Sequence, residues 1–109
     1  MKLPNGDRAS VNLRKLSGYS LNSCGAGKHK ARVFASALGM NAEQALLLRS
    51  LLLDAAKNGE AAEGEADEFG QRYMVDFEVA HAGRTAVVRS AWIIDAGKSN
   101  PRLTTCYVL

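Results

Sequence analysis

The residues best placed for chemistry in this 109-residue chain are basic and hydroxylic. Lys28, His29, Lys30 and Arg32 crowd the first turn of a segment with helical periodicity, residues 28–38, where the positive end of a helix dipole prefers anions. Helix stability does not account for them. The apolar stripe Val33, Phe34, Ala37 and Leu38, extended backwards at i, i+3, i+4 spacing, lands on Lys30 and puts an ammonium on the core-side face. Two readings follow. Either Lys30 snorkels past the core edge, or the free N–H groups of the helix start join the cations in holding an anion such as phosphate. A second costly cation is Arg89, in the middle of RTAVVRSAWII, residues 84–94. Lys30 and Arg89 either line one anion pocket or are each neutralised by a carboxylate such as Asp76 or Glu78.

Other chemistries lack their residues. There is no HExxH, no HxE with PCxxC, no GxSxG, no GxxxxGK[ST] and no GxGxxG. Cys24 and Cys106 form no metal-binding pattern, so reduced thiols are the default. The acids Glu63, Glu65, Asp67 and Glu68 lack EF-hand spacing. No cofactor and no metal are expected. The other histidine, His81, reads as a solvated turn residue.

The elements that must position these groups are legible from periodicity. β-branched and aromatic residues make 84–94 a central strand, with Ala86, Val88, Ser90, Trp92 and Ile94 toward the core and Thr85, Val87, Arg89, Ala91 and Ile93 on the other face. QRYMVDFEVA, residues 71–80, alternates as a half-solvated antiparallel strand. A turn near Ala82 and Gly83 returns the chain with Tyr73, Val75 and Phe77 beside Trp92, Ser90 and Val88. The last strand, RLTTCYVL, puts Leu103, Thr105 and Tyr107 on one face and Arg102, Thr104 and Cys106 on the other, and alternation does not say which meets the core.

Ahead of the sheet, an extended piece around Ala9–Val11 leads into a short helix capped by Asn12 and ending near Leu21, and NSCGAG, residues 22–27, reads as a flexible connection. Asn41 and Gln44 make a capping-box start for a third helix running to about Lys57. Its leucines, Leu46, Leu47, Leu48, Leu51, Leu52 and Leu53, nearly encircle it, which predicts burial by more than one neighbour or a homodimer contact. GEAAEGEADEFG, residues 59–70, reads as an acidic mobile loop. The sum is one α+β domain, residues 1–109, with N-terminal helices packed on a three- to four-stranded antiparallel sheet.

Charge is unevenly spread. Residues 1–50 hold eight Lys/Arg against two Asp/Glu, residues 51–70 one against six, and the remainder five against three. A basic head of this kind suits an anionic partner. No apolar run approaches the roughly 20 residues that span a bilayer, and the N-terminus lacks a signal-peptide core, so a soluble cytoplasmic protein starting at its own methionine is expected.

The blocks GKHKARVFASALG, GEADEFGQRYMVDFE, VRSAWII and PRLTTCYVL resemble a bacterial family catalogued as domain of unknown function 6883, over almost the whole chain. More distantly, the Lys/His helix, the Arg-Ser-x-Trp strand and the Thr-bearing last strand are similar to the metal-independent ribonuclease toxins that include barnase, EndoU, colicin nuclease and RelE domains. That second resemblance implies an RNA substrate and a protein partner, a cognate antitoxin or immunity protein. It implies His29 as acid or base, Lys30 and Arg89 stabilising the phosphate, and Ser90, Thr105 or Tyr107 donating a hydrogen bond. Lys28, Arg32, Arg72 and Arg102 become backbone contacts. The chain departs from the barnase pattern, which uses a carboxylate base, since this sheet offers only Asp76 and Glu78. A second function class uses the same basic surface without catalysis, as a binding module or partner protein of a bacterial conflict system.

Overall fold

The computed structural model describes residues 1–109. Helical elements come first and a four-stranded antiparallel meander follows, with strand order β1-β2-β3-β4. The helices are α1 (Leu13–Lys15), continued by one wide π turn over Leu16–Ser20, then α2 (Lys28–Leu38) and α3 (Ala45–Asn58). The strands are β1 (Ala61–Asp67), β2 (Gly70–His81), β3 (Arg84–Asp95) and β4 (Arg102–Val108). None of the helices is long and apolar enough to cross a membrane.

The core lies between the helices and one sheet face, where Phe34, Leu38, Leu48 and Leu52 meet Val75, Val79, Val88, Trp92 and Leu103. The β2–β3 register is the one parity required: Tyr73 faces Trp92, Val75 faces Ser90 and Phe77 faces Val88. A two-residue turn sets it, with Ala82 at φ 52 and Gly83 at φ 73. Both residues carry the positive φ that tight hairpins need to match strand twist.

Several elements differ from the sequence reading. The acidic 59–70 segment contains a strand rather than a mobile loop, since Ala61–Asp67 pairs with β2 through a bulge between Glu63 and Ala66. Backbone pairing holds it, and of its side chains only Ala61 is buried. The α3 leucines do not all find neighbours either. Leu48 and Leu52 are fully buried, but Leu46 and Leu47 face solvent at 65% and 43% exposure. The predicted capping box at Asn41 and Gln44 is present.

The extended piece near Ser10 forms a single parallel bridge to Arg102, closing the first part of the β4 edge. On β4, a bulge opposite Ala91 and Trp92 breaks the alternation: Leu103 pairs with Trp92, Thr105 with Ala91 and Cys106 with Ser90. Leu103 and Cys106 therefore both reach the core, while Thr105 and Tyr107 take the opposite face. The phase slip is why strict alternation could not assign a buried face.

Candidate functional site

Helix α2 is fixed at both ends, and that fixes Lys30. At its start, Gly27 packs so closely on the π turn that a Cβ there would sit 2.4 Å from the Tyr19 carbonyl oxygen, so the last residue of the NSCGAG segment is a fitted joint, while Ser23, Cys24 and Ala26 before it are exposed. At its end, the β2–β3 turn reaches back. His81 Nδ1 lies 2.6 Å from the Leu38 carbonyl oxygen, and Arg84 donates to the Ser36 carbonyl at 2.9 Å. These contacts occupy carbonyls that a helix end otherwise leaves unpaired, and Arg84 adds a cation where the dipole favours one. His81 is thus a half-buried helix anchor and not the solvated residue its place in the sequence suggested.

The buried face of α2 is Ala31, Phe34 and Leu38. Lys30 sits on its flank, half-buried, and Val33 is 43% exposed, so the stripe is rotated from the one read by periodicity. From there the Lys30 ammonium reaches the β4 edge and donates to Thr105 Oγ1 at 3.0 Å. Two rings flank it, with centroids at 5.6 Å for Tyr19 and 5.4 Å for Tyr107. Both distances fall within cation–π range. No carboxylate is paired with it: the ion pairs of the structure are Met1–Glu60, Arg72–Asp67, Arg89–Asp76 and Arg102–Asp95.

Two depressions meet at Lys30. One, of about 410 Å³, is lined by Asn12, Arg14, Lys15, Tyr19, Ser20, Lys30, Thr104 and Thr105, with three cations and no acid. Lys15 also donates to the Thr104 carbonyl at 3.3 Å, which ties the pocket floor to the β4 edge. The other, of about 280 Å³, is lined by His29, Lys30, Val33, Tyr107 and Val108. Three like charges and several hydroxyls around one concavity are a donor set that favours a bound anion.

The remaining candidates divide. His29 is exposed beside Lys30 on the second depression. Lys28 and Arg32 are exposed on α2. Arg89 lies on the open sheet face and forms a bidentate pair with Asp76, both bonds 2.9 Å long. Its pKa is raised, chiefly by that carboxylate and to a smaller degree by the nearby Tyr107 phenol, and the same guanidinium holds Asp76 below the usual carboxylate range. Tyr107 is the ladder partner of Arg89 and carries Lys30 over its ring.

Arg72 and Arg102 are likewise engaged, with Asp67 and with Asp95. They flank Ile93 in the ladder, and Ile93 is buried although it lies on the open face. Ser90 is wholly buried, donating to the Val75 carbonyl and accepting from Trp92 Nε1 at 2.9 Å, so its hydroxyl is used inside the core. Cys106 is buried as well, and burial pushes its thiol up to about 11. Cys24 is free and exposed. Sequence reasoning missed Arg14, Lys15 and Tyr19. Only Asn12, read as the cap of α1, marked the segment that brings them to the pocket.

Residues 2–109 match the family described as domain of unknown function (DUF6883). The chain belongs to that family. No curated protein matches the sequence. Among solved structures, the DUF6883 chain is similar to a chain of the contact-dependent growth inhibition toxin–immunity protein complex from Klebsiella pneumoniae 342, with a TM-score of 0.61 and 14% identity. The match covers 91% of this chain and 98% of that one. At such low identity the likeness is one of fold.

Proposed function

We propose that this DUF6883 domain is a ribonuclease-like module of a bacterial toxin system that holds an RNA phosphate at Lys30. The observation that carries the reading is the acid-free depression with Arg14, Lys15 and Lys30 on its wall. A lysine that donates one proton to Thr105 keeps two more for phosphate oxygens. The fold shared with a chain of a toxin–immunity complex supports the toxin setting.

In the reaction, the ribose 2′-oxygen attacks phosphorus and the bond to the 5′-oxygen breaks. One proton leaves the 2′-hydroxyl and one reaches the departing oxygen. His29 carries out one of these transfers from the rim of the second depression, and water exchanges the other proton. Lys30 and Lys15 stabilise the charge growing on the phosphoryl oxygens, and the Thr105 and Tyr107 hydroxyls offer hydrogen bonds. Arg89, across the ladder from Tyr107 and locked by Asp76, supports that residue from the far side. Lys28 and Arg32 extend the cationic track along α2.

A second reading, a non-catalytic partner protein binding through the same surface, is favoured by one feature. Asp76, one of the two sheet carboxylates that could stand in for a barnase-type base, has both its oxygens held by Arg89. Induction in a bacterial host with RNA run on a gel separates the two. Growth arrest with fragmented RNA that needs both His29 and Lys30 supports the nuclease, and healthy cells with intact RNA support the partner protein.

A further inference from the structure

We infer that the depression formed by His29, Val33, Tyr107 and Val108 is a base subsite, which takes one unpaired nucleobase of the RNA whose phosphate lies at Lys30. The inference rests on the phosphate-site reading and adds the substrate class: single-stranded or looped RNA. Lys30 lines both depressions, so a phosphate held by its ammonium has its attached nucleoside within reach of the second.

The linings differ in the way such a division of labour requires. The first depression is cationic and hydroxylic, whereas the second has two valines, a phenol ring and an imidazole, with Lys30 its single cation. Val33 is 43% exposed on α2 and gives the depression an apolar wall open to a flat ligand. At about 280 Å³ the space lies at the lower end of ligand pockets, near 300 Å³. It suits one base with its sugar.

Tyr107 supplies a π-face on which any base stacks, and the His29 imidazole stands at the rim. No Asn, Gln, Asp, Glu or Arg lines this pocket, and its one cation, Lys30, is turned to Thr105 and the phosphate, so the wall lacks the amide, carboxylate and guanidinium groups that read a base edge through paired bonds. The subsite should therefore distinguish unpaired from paired nucleotides while tolerating all four bases. A base stacked within a duplex cannot enter it without being flipped out.

Binding of an uncleavable 2′-O-methyl hexanucleotide tests this against two controls: a strand of the same length and charge whose bases are replaced by abasic spacers, and the blunt duplex. The single strand should bind at least about fivefold more tightly than the abasic strand, the lower bound of one stacked base, and more tightly than the duplex. Val33→Ser should narrow the first gap while leaving abasic affinity unchanged, and Lys30→Met should weaken both strands together. Equal affinity for the based and abasic strands, or a gap untouched by Val33→Ser, overturns the base subsite and leaves the phosphate reading standing. Failure of all three ligands to bind at low salt overturns both.

Discussion

Replacing Lys30 by methionine separates a functional cation from a structural one. The structure gives the terms. The substitution removes one charged hydrogen bond to Thr105, worth about 1.5–3 kcal/mol at most, and two cation–π contacts at a half-exposed position, about 0.5–1 kcal/mol each. Against this, Met keeps the aliphatic packing of the stem on the α2 flank and ends the repulsion among Lys30, Lys15 and Arg14 around one concavity. No carboxylate is stranded, so the 3–5 kcal/mol penalty of a broken buried pair does not arise. The net change should be within about 1–2 kcal/mol, or roughly 4–16 °C in melting temperature for a domain of this size. RNA cleavage should fall by about 10²–10³-fold, the loss seen when one donor to a developing oxyanion is removed. Arg89→Met is the companion: its pair with Asp76 is about one-third exposed on both sides, so stability should change by less than about 1 kcal/mol. Thermal melts and a gel-based cleavage assay on both variants read the outcome. A Lys30→Met protein that is unfolded at 25 °C, or one that melts normally and cleaves like wild type, refutes the assignment.

Gly27→Ala should act at a distance, because the new methyl meets the Tyr19 carbonyl oxygen at 2.4 Å and must push α2 away from the π turn; a spectrum showing displaced Tyr19 and Lys30 resonances is expected, and an unchanged one would count against the joint. In native protein one thiol, Cys24, should react with iodoacetamide and Cys106 should react only after denaturation, as counted by mass. Burial raises the Cys106 pKa from 9.0 to about 11, so the unfolded chain sheds that proton first and stability falls as pH climbs through this window; denaturant titrations of Cys106→Ala should show a shallower alkaline loss, by about 2–3 kcal/mol across two pH units. RNA affinity should decline linearly in log–log salt plots, and charge reversal of Lys28 and Arg32 should flatten the slope.

The parts of this fold that a sequence discloses are those governed by local periodicity. Strand β3 and its core face, the even hairpin parity that sets Tyr73 opposite Trp92, and the Asn41–Gln44 capping box all follow from spacing within about a dozen residues. Periodicity failed where a non-local contact decided the outcome. The bulge on β4 turns Cys106 inward and Thr105 outward, and no local signal marks it. The β1 strand is built from Ala, Gly and acids, poor β-formers, and is held by its ladder to β2. Lys30 and Arg89 looked alike in sequence, each a cation among apolar neighbours, yet a cross-strand carboxylate, Asp76, sits opposite Arg89 in the register, while Lys30 meets two tyrosines and a threonine from distant segments. That asymmetry is the physical content of the candidate site. A cation whose pairing is complete is a poor place to bind phosphate, because a ligand must first displace the carboxylate. One that is oriented by a hydroxyl and two rings, beside two further cations, is already desolvated in part and still electrostatically unsatisfied, which is the state from which anion binding gains most.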